Sequence, residues 1–343
     1  MRSLGFPHAS RAPGPGHRGL WDRHHRIRDH GRAAPGRGRL RRQRSHRQPA
    51  GRHAELARLA DNLGFASLWV RDVPLYDPEQ FGDAGSVFEA FTHLGHLAAV
   101  TERAVLGTGA IVLPLRQPLL VAKAAATVDV LSRGRFILGL ASGDRPVEYP
   151  LFGEDFEARG ATFRKSVEIL RAAWATRASG QGISLPDVGL DADRNLEVLP
   201  KPTGRSIPVA IAGHAQQSAE WISRNADASL NHPRPLGAIR LKTRAWQQLT
   251  AGAPKPYLTP MQLDLAEDPA TAATAIRLGL RTGREALVDH LREMGRLGVS
   301  HVSFNLRPSD RPVEEVLQEL AETVPPHVPS TDVATASGPD AAL

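Results

Sequence analysis

The sequence predicts an α/β fold, a (β/α)8 barrel of parallel strands, on three observations. Short apolar runs alternate with longer segments at helical spacing from about residue 53 to residue 324. Successive apolar runs are separated by helix-length crossovers, the connection that parallel neighbours require. With 343 residues, 41% of them hydrophobic, the chain can fill one large barrel core.

The clearest unit is residues 103–143, RAVLGTGAIVLPLRQPLLVAKAAATVDVLSRGRFILGLASG. Ala104–Val112 is apolar and β-branched, broken by Gly107 and Gly109 as a bulged strand would be. Helical spacing follows over Leu119–Leu131, with Leu119, Ala122, Ala126, Val130 and Leu131 as the expected inward stripe. Ser132–Gly134 ends the helix and Phe136–Leu140 is the next strand. The two strands should be parallel neighbours whose C-terminal ends, 110–113 and 141–143, open on one rim.

Residues 1–52 hold fourteen arginines, Asp22 and Asp29, and no lysine, which makes that segment +12. The chain totals +7, so the remainder is −5 and offers nucleic acid no general attraction. The head is Arg, Gly, Pro and His without paired apolar positions, too little to offset the entropy of ordering, and is expected to be disordered. The apolar first strand of a barrel is missing ahead of the first helix. Lysine-free Arg/Gly/Pro text is also what a GC-rich gene gives out of frame, so 1–52 is read as a frameshifted or mis-assigned start. A nucleic-acid-binding arm is the alternative from another class of function. The absence of cysteine excludes disulfides and thiolate chemistry. No apolar run approaches a membrane span or a signal peptide, and a cytoplasmic location is expected.

The elements then follow in order. Residues 53–63 form a helix with Leu56, Leu59, Ala60 and Leu63 on one face, capped by Gly64. Phe65–Val70 is a strand that exits at Arg71 and Asp72 into a long loop, where barrels keep their chemistry. An ion pair between those two at the rim is the plainer reading. Residues 86–100 are helical, with Phe88, Phe91, Leu94 and Leu97 inward. His93 and His96 lack a third ligand, so no metal site is assigned. After the second strand of the central unit comes a polar loop carrying Asp144 and Arg145, placed to meet a ligand or to close the loop as an ion pair. Residues 154–176 form a long helix, and 178–206 an excursion with a short hairpin around 183–185 and 196–199.

Ile207–Ala212 is the fifth strand, followed by GHAQQSAEW, a glycine turn into the polar start of a helix. Free N–H groups and a dipole end make that turn suited to an anion, while helix capping by Ser218 is the simpler alternative. Residues 227–231 are the sixth strand. His232 follows on the rim, the best-placed side chain for proton transfer, or else a capping residue. A helix over 236–249, strand seven over 257–266, a helix over 283–297, a closing strand at 300–306 and a helix over 312–324 complete the body. Residues 325–343 should be a disordered tail. Three regions result: the head 1–52, a barrel domain 53–324 and the tail.

GTGAIVLP, SRGRFILGL, LFGEDFEARG and IPVAIAGHAQQSAEW, in this order and spacing, resemble the bacterial-luciferase-like flavin monooxygenases over residues 55–324. The resemblance implies a barrel that holds reduced FMN, supplied by a separate reductase, at its C-terminal rim. With O2 the flavin would oxidise a small organic substrate; relatives using deazaflavin F420 for hydride transfer are the alternative. It also implies a non-proline cis peptide at Gly109–Ala110 against the ring, with Gly143 nearby. Flavin phosphate would bind at Gly213, His214, Gln216, Gln217 and Ser218. Ser142 stands where luciferases carry an arginine near the phosphate, and Arg71–Asp72 where they carry histidine chemistry. Catalytic roles are expected of His232, Asp72 and Arg71 from their places at the strand exits, not from the resemblance, which lacks its histidine chemistry here. The resemblance implies a homodimer paired through helices beside the second and third strands. A chain lacking its first strand could also be inactive, because the flanking strands would keep open edges.

Overall fold

The computed structural model describes residues 50–77, 88–175, 182–184 and 196–328. The head up to residue 49 and the tail beyond 328 fall outside these, together with the readings made for them. Helix α1 (Ala50–Asn62) begins inside the segment read as the head, and Arg52 pairs with Glu314 at 3.0 Å.

The central crossover folds as its pattern dictates. Strands β2 (Val105–Thr108) and β4 (Phe136–Ala141) lie parallel, with Leu106 opposite Phe136, and helix α3 (Pro118–Leu131) joins them. The chain leaves the ladder at Gly109 and rejoins β4 as β3 (Ile111–Val112), with Ile111 opposite Leu140. Thr108 fills the break: its hydroxyl donates to the Gly139 carbonyl and accepts the Gly139 N–H, both at 2.8 Å. Gly139 has to be glycine here, since a Cβ would stand 1.8 Å from the Thr108 carbonyl oxygen.

Around this unit, β1 (Ser67–Val70), β2, β4, β5 (Val209–Ala212), β6 (Ala228–Leu230) and β7 (Tyr257–Leu265) run parallel in that order. A later strand, β10 (His301–Asn305), also pairs with β7 in parallel. With the β2–β3 run counted once, these are the seven wall strands expected, and all their C-terminal ends share one rim. Among the described residues no backbone ladder joins β1 to β10. Side chains bridge that seam instead: Trp69 Nε1 donates to Ser67 Oγ at 2.7 Å, and Ser67 Oγ lies 2.9 Å from His301 Nε2.

Alternation sorts the strand residues into two cores. Outward residues such as Leu106, Leu138 and Ile211 pack under helices with Phe163 and Trp174. The inward set mixes small and large residues: Ala110, Ala210, Ala212 and Ala228 gather with Trp69, Ile137, Leu230 and Leu258.

The structure corrects several element readings. On α3 the buried residues are Val121, Ala122, Ala125, Ala126, Val128 and Asp129, whereas Val130 and Leu131 of the expected stripe are exposed. Asp129 turns the face: its carboxylate accepts the Thr203 N–H and hydroxyl, both at 2.7 Å, anchoring the approach to β5. Helix α2 (Ala90–Val100) starts after Phe88, which is exposed rather than inward. Helix α4 spans Arg159–Trp174, later than expected, because a 3-10 turn at Tyr149–Phe152 precedes it. Ile183 N–H does donate to the Leu196 carbonyl at 2.7 Å, within the excursion read as a hairpin. Helix α5 (Ala219–Asn225), α6 (Leu236–Leu249), α7 (Arg284–Arg296) and α8 (Val313–Thr323) fall where their spacing puts them. Sequence reading missed an antiparallel hairpin, β8 (Thr274–Ile276) and β9 (Gly279–Thr282), after β7. Its turn uses Leu278 at φ 54°, a residue that gives no turn signal.

His93 on α2 sits edge-on to His53 and Phe88 at 5.4 and 5.2 Å, with its buried Nε2 lacking a partner. Burial, reinforced by the nearby His53 and His96, lowers its pKa from 6.5 to about 4. The unfolded chain therefore takes up a proton that the fold refuses. Stability should be highest above pH 6.5 and fall as pH drops towards 4, by at most about 3 kcal/mol from this group. Urea midpoints measured from pH 7.5 to 4 should slope less steeply in His93→Leu than in the parent chain.

Candidate functional site

The C-terminal rim is built by loops following β1, β2, β4, β5 and β6, each fixed by specific bonds. Its base is the bulge. Gly109 N–H donates to the Val70 carbonyl at 2.7 Å, and the Gly109–Ala110 peptide is cis. Val112 N–H then donates to Asp72 Oδ2 at 3.0 Å, so the loop after β1 holds the bulge from the other side.

Asp72 is buried and engaged on both oxygens. Arg116 donates to Oδ1 at 2.7 Å through Nη2 and to Oδ2 at 3.0 Å through Nε, while its Nη1 reaches Glu89 at 3.2 Å. Arg116 is thus the cation of the rim pair, in place of the expected Arg71–Asp72 pair. Arg116 was overlooked because it follows the apolar LPL run with no polar neighbour before it.

Arg145 and Glu148 tie the loop after β4 to the loop after β1. Arg145 Nη1 lies 3.5 Å from Glu148 Oε1 and donates to the Leu75 carbonyl at 3.3 Å. Glu148 accepts the Leu75 N–H; burial raises its pKa against the pull of Arg145. The loop-closing ion pair thus joins Arg145 to Glu148 rather than to Asp144. Tyr149 donates its hydroxyl to the Ser142 carbonyl, and burial pushes its pKa up to about 12. Gly143, at φ 78°, is wedged there, since a Cβ would lie 2.7 Å from Tyr149 Oη and Val112 Cγ1. Ser142 and Gly143 consequently form a stiff shelf beside the bulge.

Across the mouth, Asn231 N–H donates to Leu258 O at 2.9 Å and Asn231 Nδ2 to Ser229 Oγ at 2.7 Å, which fixes the base of the His232 loop. His232 is exposed at the rim; its pKa is lowered, first by partial desolvation among the neighbouring loops and then by Arg71 and Arg234, with Asp144 opposing. These influences put the loops after β1, β4 and β6 within electrostatic reach of one imidazole, which is neutral at pH 7.

In the loop after β5, Gly213 N–H donates to Leu230 O at 2.8 Å. Gly213, Ala215 and Gln216 all take positive φ, making a concave turn whose Gly213 has open space where a side chain would be. Two of the expected phosphate ligands are spent inside the fold. Gln217 is buried; its Nε2 donates to Gly160 O at 2.7 Å and its Oε1 accepts Arg164 Nη2 at 2.9 Å. Ser218 accepts the Trp221 N–H at 3.2 Å and donates to the Glu220 carboxylate, whose pKa is lowered by its own N–H and by that hydroxyl. Glu220 thereby supplies the negative charge at the start of α5. Gly213, His214 and Gln216 keep the open side of the turn, and His214 Nδ1 accepts the Gln216 N–H at 3.1 Å.

Fold and rim together define a parallel-strand barrel whose C-terminal loops gather at one end, around the bulge at Gly109 and the turn at Gly213. The chain belongs to the luciferase-like monooxygenase family, whose model matches residues 29–293. It is similar to a putative coenzyme F420-dependent oxidoreductase of Mycobacterium tuberculosis, 29% identical over 190 residues, covering 53% of this chain and 51% of that protein. It is also similar to a phthiodiolone/phenolphthiodiolone dimycocerosates ketoreductase of Mycobacterium bovis, 27% identical over 247 residues, covering 69% and 61%. The chain thus spans between half and two thirds of these relatives. Among solved structures, the monooxygenase RslO1 from Streptomyces bottropensis superposes with a TM-score of 0.68 at 21% identity, covering 82% of this chain and 95% of that one. An F420-dependent secondary alcohol dehydrogenase bound to an F420–acetone adduct gives 0.65 at 16%, covering 80% and 94%. These two likenesses establish the fold, the luciferase-like barrel. Among the described residues no helix is long and apolar enough to cross a membrane.

Proposed function

We propose that the chain is an oxidoreductase that works with a reduced flavin-type ring seated on the Gly109–Ala110 peptide and acts on a small organic substrate. The observation that carries this reading is the break in the β2 ladder at Gly109, where the chain leaves the wall beside Ala110, Ala210, Ala212 and Trp69 at the end to which the loops after β1, β4, β5 and β6 converge. The small Ala110, Ala210 and Ala212 beside the Trp69 indole, together with the open side of the Gly213 turn, fit such a group. Reduced FMN with O2 as oxidant is the first reading, in keeping with the family's monooxygenase description. F420 without oxygen is the second, favoured by the relative described as F420-dependent. Either group supplies the electron pair when bound; the chain's residues do the rest.

His214 and the Gln216 side chain would receive the phosphate on the concave turn, with Gly213, Gln217 and Ser218 holding that turn in shape. Ser142 and Gly143 form the shelf that positions the ring edge. His232, neutral at pH 7, moves the proton that accompanies electron transfer, with Arg71 beside it to favour the developing negative charge. Asp72 acts as a positioning residue, because both its oxygens are bonded to Arg116 and Val112. A flavin reductase as partner and a homodimer remain part of the proposal.

His232→Gln should lower kcat by about 10²–10⁴-fold and leave cofactor binding intact. In the parent chain the neutral imidazole should sustain activity to below pH 6.5, with an acidic limb that the variant lacks. Assays of reduced FMN with O2, and of F420 with small ketones and alcohols, distinguish the two readings. Unchanged kcat in His232→Gln would remove the residue from the mechanism.

A further inference from the structure

One aromatic side chain lies inside the barrel just beneath the break at Gly109. Trp69 faces inward from β1, opposite Gly107 of β2, and packs with Ala110, Ala210 and Ala212. Its six-membered ring covers Gly107, where a Cβ would lie 2.5 Å from Trp69 Cε3; one on Gly109 would meet the same atom at 3.9 Å. Glycine at 107 is therefore what lets the indole lie against the strand. Val70, the next residue along β1, accepts the Gly109 N–H, so the indole sits one residue below the break.

The nitrogen side of the indole is tied to the far strand. Nε1 donates to Ser67 Oγ at 2.7 Å, and that oxygen lies 2.9 Å from His301 Nε2 at the start of β10. An indole nitrogen only donates, so Ser67 accepts it and keeps its own hydroxyl hydrogen for the imidazole. Among the described residues no other side chain or carbonyl accepts that hydrogen. Burial lowers the His301 pKa and keeps the ring neutral, as an acceptor at Nε2 must be. The plane of Trp69 is thus pinned at both edges, by the bare Gly107 backbone and by a chain of two hydrogen bonds. Ser67 is two residues further from the rim than Trp69, so it reaches the ring seat only through the indole.

We propose that Trp69 is the floor of the ring seat, and that Ser67 and His301 are positioning residues that hold its plane through the indole N–H. This rests on the oxidoreductase reading and extends it from the rim loops to the barrel interior. Aromatic rings attract one another in particular relative orientations, so a floor free to tilt would hold a flavin-type ring less tightly.

The test is a mutant cycle read by two independent signals. The first is the indole 1H–15N spectrum of the cofactor-free chain, which has five tryptophans; the Trp69 signal is the one lost in Trp69→Phe. Its proton should move upfield in Ser67→Ala and stay near the parent position in Ser67→Thr. The second is affinity for reduced FMN and for reduced F420. For whichever binds, Ser67→Ala and His301→Leu should each weaken binding about fivefold, as the loss of one hydrogen bond would. Ser67→Thr and His301→Gln keep the hydroxyl and the acceptor and should recover most of that loss. In a Trp69→Phe background Ser67→Ala should cost nothing further, because a phenyl ring has no N–H to hold. Urea midpoints of all variants follow the fold. Additive losses in the double variant, an unmoved indole signal in Ser67→Ala, or affinities that merely track the urea midpoints would overturn the proposal. Binding of neither cofactor overturns the oxidoreductase reading and this role together, whereas cofactor binding that Ser67→Ala leaves unchanged overturns this role alone.

Discussion

Thr108→Val is expected to destabilise the fold by about 2–5 kcal/mol, although the two side chains are nearly the same size. The hydroxyl stands in for a ladder partner where β2 breaks away at Gly109. It satisfies both the N–H and the C=O of Gly139, deep in the wall. Valine would leave those two groups buried and unpaired, at about 1–3 kcal/mol each. No neighbour can take over, because Gly139 is pressed so closely on the Thr108 carbonyl. Thr108→Ser keeps the hydroxyl and should lose about 1 kcal/mol or less. Chemical denaturation of the three proteins checks this; equal midpoints for Val and Ser would mean that the hydroxyl bonds contribute nothing.

Asp72→Ala should produce the second large loss, about 3–5 kcal/mol. It removes the carboxylate that balances Arg116 and orders Val112, and a buried ion pair broken on one side leaves its partner uncompensated. Asp72→Asn keeps the acceptor for Val112 but not the charge, and should fall between the parent and the alanine variant. A positioning residue and a proton-transferring one differ in kinetics. Loss of Asp72 should weaken cofactor and substrate binding together and leave the pH dependence of kcat unchanged if, as proposed, His232 sets that dependence. A lost acidic limb in Asp72→Asn, with binding intact, would instead make Asp72 a catalytic residue.

The legible parts of this fold were those where a side chain's period and its burial agree. The crossover from β2 through α3 to β4 announced itself by apolar strands around a helical run, and Gly107 and Gly109 marked the bulge. Where a polar residue turned inward, periodicity misled. Asp129 is buried to hold Thr203, and it rotates α3 so that Val130 and Leu131 face out. The rim was legible as a set of loops but not as a set of partners. Arg71 and Asp72 are adjacent in sequence, yet Asp72 pairs with Arg116 from the next loop, a choice made only when the strands align. Ser218 and Gln217 carry the right polar groups for an anion, and the fold uses both for itself, with Glu220 at the helix start and Arg164 on α4. The β8–β9 hairpin left no sequence signal, because Leu278 adopts a left-handed turn without glycine or asparagine.

The bridged seam between β1 and β10 bears on whether the chain as written can work. Ser67, Trp69 and His301 join the two strands through side chains, and burial keeps His301 below its ordinary pKa, hence neutral.

The seat of the ring is tested most directly by anaerobic titration of the purified chain with reduced FMN and with reduced F420, in parallel with Ala110→Leu. The expected result is stoichiometric binding of one of them to the parent chain, weakened at least tenfold when leucine replaces Ala110 beside the bulge. Binding of neither cofactor, or equal binding with leucine at position 110, would contradict the assignment of this rim as the site of chemistry.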